Sequence, residues 1–188
     1  MKNQIEKILK DSIAVNELVL EKSLDQIQKI AQICIDCLKN NGKIIFCGNG
    51  GSAADSQHLV AELVVRFKKD RKSIPAMALS VNTSIITAIG NDYGYEKVFS
   101  RQIESLANKQ DILIAISTSG KATNVREAIK TAKKIGLKTI AFTGKNGSDF
   151  AGLCDYSLII PSENTARIQE AHITVGHIIC ELIEENLT

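Results

Sequence analysis

Two of the three histidines in this 188-residue chain, His172 and His177, fall in one largely apolar stretch, IQEAHITVGHIICELI, which also carries Gln169 and Glu170. The third, His58, stands four residues before Glu62 and three after Asp55; the i, i+4 step stacks imidazole and carboxylate on one helix face. A single imidazole has no obligatory chemistry, so each histidine alone reads as a packed or partly exposed helical residue. Together, His58, Glu62, Gln169 and His177 make an N/O donor set for a divalent ion, zinc first by ligand type. One distance limits that set. The eight positions from Gln169 to His177 span about 12 Å of helix, so one ion touches both only through long inward side chains, an irregular helix or a subunit boundary.

Ser117-Thr118-Ser119-Gly120 sets three hydroxyls and several backbone N–H groups before an expected helix. Orphan donors and the helix dipole there favour an anion, and a phosphate fits; the plainer alternative is a Ser/Thr helix cap. No Walker-type loop is present, since Gly144-Lys145 lacks the spacing. Gly48-Asn49-Gly50-Gly51-Ser52 also lacks the third glycine of a dinucleotide fingerprint, and no nucleotide cofactor is implied. Taken alone it is a tight turn, although adjacent glycines also let a backbone approach a sugar closely.

The elements that must position these groups follow from periodicity. Residues 3–40 read as one or two amphipathic helices stopped by Asn40-Asn41-Gly42. KIIFC (43–47) is a short apolar strand, and a helix runs from Ala53 to about Phe67 with Leu59, Leu63 and Val64 inward. After the basic connection 67–73, PAMALS is a second strand, and 83–90 and 95–107 are expected to be helical around a break at Asn91-Asp92-Tyr93-Gly94. DILIAIS (111–117), KTIAFTG and SLIIP are three more strands, separated by a helix over 123–135 and followed by a long helix over 165–187. Strands alternating with helices require parallel pairing through right-handed crossovers and a sheet covered on both faces. The expectation is one doubly wound α/β domain over residues 1–188, with a five-stranded parallel sheet whose loops 48–52 and 117–120 line one crevice beyond the strand ends.

Composition narrows the function classes. Lys and Arg number 23 against 21 Asp and Glu, a net charge of +2, which gives no single-sign field for coating nucleic acid. Aromatics at 4% suit no stacking surface, and 44% hydrophobic with 23% charged residues is ordinary for a globular core. The N-terminus interleaves charges with apolar residues, and no apolar run approaches the roughly 20 residues of a membrane span, so a cytoplasmic protein is expected. Five cysteines are an odd number and read as free thiols; Cys34 of Cys34-x-x-Cys37 shares an apolar helix stripe with Ile27, Ile30, Ala31 and Leu38. Ile5, Ile8, Leu9 and Ile13 make a stripe with no place on an already covered sheet, marking residues 1–40 as a helical oligomerisation segment.

Gly48–Ser52, Ser117–Gly120, Gly90-Asn91-Asp92 and Arg167-Ile168-Gln169-Glu170 followed by His177 resemble the sugar-isomerase (SIS) domain across essentially the whole chain. The added His58-x-x-x-Glu62 and Gln169…His177 pattern is similar to that of the phosphoheptose isomerases. The resemblance implies a homotetramer with interface active sites that converts sedoheptulose 7-phosphate to D-glycero-D-manno-heptose 7-phosphate, toward activated heptose for lipopolysaccharide or other surface glycans. It implies Glu62 as base, His177 as partner acid/base, and His58, Glu62, Gln169 and His177 as zinc ligands, one ion per subunit. Asn49, Gly50, Gly51, Ser52, Asn91, Asp92 and Gln169 match sugar contacts, and Ser117, Thr118 and Ser119 the phosphate loop. Two positions depart from the family pattern. Ala122 replaces a serine that donates to the phosphate, and Ala166 replaces an aspartate before Arg-Ile-Gln; Lys121 and Thr123 could partly substitute at the phosphate.

Aldose–ketose exchange needs a base moving a proton between C1 and C2, a group shuttling protons between O1 and O2, and electrophilic stabilisation of the enediolate. Glu62, His177 and a metal answer to these, with a tension: a carboxylate bound to zinc is a weaker base. A non-catalytic SIS protein, whether replication-initiator-associating or sugar-phosphate-sensing, should lack the Glu/His pair, which this chain has. A related phosphosugar isomerase on the same fold is the other alternative.

Overall fold

The computed structural model describes residues 1–187. Its elements are helices α1 (Lys2–Lys22) and α2 (Leu24–Lys39), strand β1 (Ile44–Cys47), α3 (Gly51–Val64), β2 (Ala76–Ala78), α4 (Thr83–Tyr93), α5 (Ser100–Leu106), β3 (Ile112–Ser117), α6 (Thr123–Ile135), β4 (Lys138–Gly144), α7 (Ser148–Ala151), β5 (Tyr156–Ile160) and α8 (Thr165–Leu187). The strands pair in parallel in the order β2-β1-β3-β4-β5, with Phe46 opposite Ile114 and Ile114 opposite Ile140. Because a strand's side chains alternate, one buried run feeds two cores. Ile44, Phe46, Ile114, Ile116 and Phe142 face α2, α3 and α8; Ile45, Cys47, Leu113, Ala115 and Ala141 face α5, α6 and α7. This is the doubly wound α/β arrangement expected from the sequence.

The strand order reverses between β1 and β3, and there the geometry opens. The chain leaves β1 toward α3 on one face and leaves β3 toward α6 on the other. The two helix N-termini therefore diverge over the carboxyl ends of adjacent strands and leave a crevice, the position where such sheets bind ligands.

Three local expectations are corrected. Asn91, Asp92 and Tyr93 lie inside α4 rather than in a break; the Asn82 side chain caps that helix by accepting from Ile85 N–H at 3.0 Å, and only Gly94 ends it. The 95–107 segment is a 3-10 turn over Tyr95–Lys97 followed by α5. Helix α3 starts at Gly51 and stops at Val64, and its inner face is Ser52, Asp55, Ser56, Leu59 and Leu63, while Val64 is exposed, because positions 52, 55, 56, 59 and 63 keep one helical face and 64 does not. The five cysteines are unpaired. No helix among the described residues is long and apolar enough to cross a membrane.

Candidate active site

Helices α3 and α8 lie side by side on one face of the sheet and run in the same direction. Gln169 meets Gly51, Gly176 meets Leu59, His177 meets His58 and Glu184 meets Phe67, so the partners advance together along both chains. This packing joins residues from distant parts of the sequence. His58 Nε2 lies 2.8 Å from His177 Nε2 and 3.4 Å from Glu62 Oε1, and one ligand atom from each of the three residues falls within 4.8 Å of the others. The rings of His58 and His177 meet edge to face with centroids 5.0 Å apart, and the Phe67 ring lies 5.6 Å from that of His177, tilted by 31°. At 48% side-chain exposure His58 opens the cluster to solvent.

The donor set fits a small divalent ion. Ligands about 2.05 Å from a tetrahedral zinc lie roughly 3.3 Å apart, so the His58–Glu62 spacing already matches and the two imidazoles need part only slightly. Without an ion, one Nε2 carries the proton that the other accepts.

The fourth expected donor, Gln169, comes from the first turns of α8. Gln169 reaches Asp55, donating from Nε2 to Oδ1 at 3.3 Å, and its amide covers Gly51. Helix α8 is regular through this stretch, which keeps Gln169 about two turns before His177. Asp55, one turn before His58 on α3, is buried. Burial raises its carboxyl above the ordinary range, while the Gln169 hydrogen bond and nearby His58 pull it back. His172 is not part of the cluster. It is buried against Phe142 with Nε2 3.3 Å from the Thr143 carbonyl oxygen, and desolvation brings its pKa down to about 4 although that bond opposes the shift.

Across the crevice, Asn49 and Asn124 exchange two amide hydrogen bonds of 2.8 and 2.9 Å, and Tyr95 Oη donates to Asn49 Oδ1 at 3.3 Å. This brace ties the loop after β1 to the first turn of α6. Nothing in the sequence pattern marks Asn124 or Tyr95 for it. Gly50 turns into α3 with a φ of 54°, a conformation that favours glycine. Ser52 is buried, its carbonyl accepting from Ser56 Oγ.

The hydroxyls of Ser117, Thr118 and Ser119 do not cap α6. Its N-cap is Ala122, which has no side-chain acceptor, and Ser119 Oγ accepts instead from Lys121 N–H at 3.3 Å. The first turn of a 13-residue helix thus opens beside the loop with no side chain satisfying its N–H donors. Thr118 O accepts from Gly144 N–H, and Ile168 lies over Gly144, which brings this loop next to the first turn of α8. Asn91 and Asp92 are exposed on the last turn of α4, where Asn91 Nδ2 donates to Asp92 Oδ1 at 2.8 Å; the structure does not bring them to the His/Glu cluster.

The chain matches the SIS domain family over residues 9–144. That match stops before α8, so full-length relatives bear on His177. A phosphoheptose isomerase of Nitratiruptor sp. is 55% identical over 99% of this chain and 100% of its own length. One of Clostridium acetobutylicum is 51% identical over 100% of this chain and 96% of its own. The solved structure of phosphoheptose isomerase from Neisseria gonorrhoeae is 39% identical, covers 98% of each chain and superposes with a TM-score of 0.93. With its crevice, its cluster and this likeness along its whole length, the chain belongs to the SIS domain family and, within it, to the phosphoheptose isomerases.

Proposed function

We propose that the chain interconverts D-sedoheptulose 7-phosphate and D-glycero-D-manno-heptose 7-phosphate by proton transfer through an enediol, the first step toward activated heptose for lipopolysaccharide or another surface glycan. The observation that carries this reading is the convergence of one carboxylate and two imidazoles where α3 and α8 pack together on one face of the sheet. Glu62 takes the proton from the carbon beside the carbonyl, and His177 moves protons between the two oxygens. A divalent ion, zinc by ligand type, held by His58, Glu62 and His177 with Gln169 as a fourth donor once it leaves Asp55, supplies Lewis-acid polarisation of the sugar oxygens when bound.

Ser117, Thr118, Ser119 and the open first turn of α6 hold the phosphate. Gly50, Gly51, Ser52, Asn91, Asp92 and Gln169 contact the sugar chain, with Asn49 braced behind them. Spacing supports the substrate class. The phosphate loop adjoins the start of α8 and the cluster lies near His177, about 12 Å further along the helix. That separation, awkward for one ion, suits the two ends of an open sugar phosphate, and holding the remote phosphate fixes the reacting carbons. The exposed apolar stripe of Ile5, Ile8, Leu9 and Ile13 supports a homotetramer, with sites completed between subunits, and the net charge of +2 supports a cytoplasmic protein that works without nucleic acid.

The test is solvent exchange. Turnover in D₂O should place deuterium beside the carbonyl, since an enediol route exposes that proton on the base whereas a hydride shift carries it across. Glu62→Gln should keep substrate binding, lower kcat by about 10²–10⁴-fold and abolish exchange. Exchange at the wild-type rate in this variant would remove Glu62 as the base. Chelation should lower activity and Zn²⁺ restore it with the fold retained; full activity in metal-free protein would leave Glu62 and His177 as plain acid/base groups.

A further inference from the structure

The C-terminal ends of α3 and α8, beyond the cluster, are joined by a buried ion pair that the proposed chemistry does not use. Glu184 of α8 and Arg71 of the connection after α3 each have side chains only 2% exposed, and Arg71 Nε donates to Glu184 Oε1 at 2.9 Å. The same carboxylate accepts from the backbone N–H groups of Phe67, Lys68 and Lys69 at 3.0, 2.8 and 3.0 Å. The Arg71 guanidinium also closes the end of α3. It donates from one terminal nitrogen to the carbonyl of Glu62 itself, and from the other to that of Leu63, both at 2.8 Å. Through these bonds a single pair grips three things: α8, the last turn of α3 at the residue whose carboxylate is in the cluster, and the loop that lays the Phe67 ring on His177.

Helix C-terminal carbonyls are usually left to water or to a glycine turn. Here α3 ends at Val64 and Val65 with no glycine cap, and a fixed guanidinium takes that place. Its planar fork is suited to bridging several acceptors at once, which a lysine ammonium on a flexible stem does less well. Rotation or sliding of α3 against α8 would separate His58 from His177 directly, because each helix contributes one of them.

We propose that the Glu184–Arg71 pair is the positioning device of the His58, Glu62 and His177 donor set, fixing α3 against α8 and Phe67 against His177. The proposal rests on the metal-assisted reading of that cluster, and names what holds its geometry. Glu184 and Arg71 are positioning residues: they touch neither the donor atoms nor the crevice.

The test uses full-length protein and Co²⁺ alone as the probe, followed by visible absorption. Glu184→Gln keeps the side-chain shape, and Arg71→Lys keeps the charge while losing the fork, so the second serves if the first does not fold. Asp111→Asn is the control. Asp111 is an equally buried carboxylate, accepting from Lys43 and from Asn108 N–H where β1 and β3 begin, and it is hydrogen-bonded to neither α3 nor α8. Folded Glu184→Gln and Arg71→Lys should bind Co²⁺ about 10–100-fold more weakly, the range found when groups that orient metal ligands are lost. They should also lose the nuclear Overhauser contact between the Phe67 and His177 rings and fall in kcat at saturating metal, whereas Asp111→Asn keeps all three while melting earlier. Wild-type Co²⁺ affinity, ring contact and kcat in either folded variant would overturn the proposal, as would equal losses in Asp111→Asn, which would reduce the pair to general stability. If the wild-type protein binds no Co²⁺, the metal reading fails on its own. The pair is then judged by the ring contact and kcat, where unchanged values overturn it.

Discussion

In the proposed reaction Glu62 meets two demands that oppose each other, since the lone pair that takes a proton from carbon is the one that would bind a metal. Its place at the end of α3, with its backbone carbonyl held by Arg71, leaves the carboxylate as the part free to move between those duties. His58 and Glu62 were legible in the sequence because an i, i+4 pair is a local property. Gln169 was legible as a polar residue on an apolar helix but not in its partner, because Asp55 and Gly51 come from another helix. Gly51 now yields a prediction. The atoms nearest to a Cβ there belong to the flexible end of Gln169, so Gly51→Ala should fold with a Tm near wild type while displacing that amide from Asp55. We expect kcat/KM to fall at least about tenfold, or roughly 1.4 kcal/mol; unchanged kinetics would free Gln169 of any role. At the phosphate end, Ser119→Ala should raise KM by the equivalent of about 1.5–3 kcal/mol, the worth of a hydrogen bond to a charged group. An unchanged KM would move the phosphate elsewhere.

At the scale of elements, strands and crossovers were readable from buried apolar runs, and the crevice followed from their order. The 91–94 segment was misread because Asn, Asp and Gly favour turns locally, yet the inward face set by Ile85, Ile86 and Ile89 carries α4 on to Tyr93. Helix α8 holds two groups that should shape acid stability in separate windows. Folded His172 has a pKa near 4 against 6.5 ordinarily, so it stays neutral. As pH falls from 6.5 toward about 4, the unfolded chain takes up a proton that the folded chain refuses, and stability drops. Burial raises Glu184, but the N–H groups of Lys68, Phe67 and Lys69 and then Arg71 outweigh it and hold the carboxyl down at about 2. Its contribution is complete above 4.5 and is lost as pH falls from there through about 2. Urea midpoints measured against pH should therefore lose their upper slope in His172→Gln and their lower slope in Glu184→Gln. The second variant should also be less stable at neutral pH by about 3–5 kcal/mol, the cost of breaking a buried pair. Slopes identical to wild type would show that neither group titrates as its surroundings dictate.

For the whole molecule, α1 is the element the sheet does not explain. It is anchored to α8 by Ser12 Oγ donating to Glu170 and by Arg167 donating to the Ile8 carbonyl, yet Ile5, Ile8, Leu9 and Ile13 stay exposed. That stripe was legible from its spacing, and no other part of the chain covers it among the described residues. Light scattering at micromolar concentration should give a mass well above the monomer's 20.5 kDa, and Leu9→Glu should lower it; a monomer throughout would remove the interface reading of the site. The parallel docking of α3 and α8 also sets a timetable. His58 and His177 are 119 positions apart, and the Glu184 grip on Phe67 spans 117. Since chains fold N-terminal parts first as they are made, the strands and α3 can assemble while the cluster still lacks its second histidine. Until α8 docks the set of three donors is incomplete, so the cluster is among the last parts of the fold to be assembled although two of its members are made early.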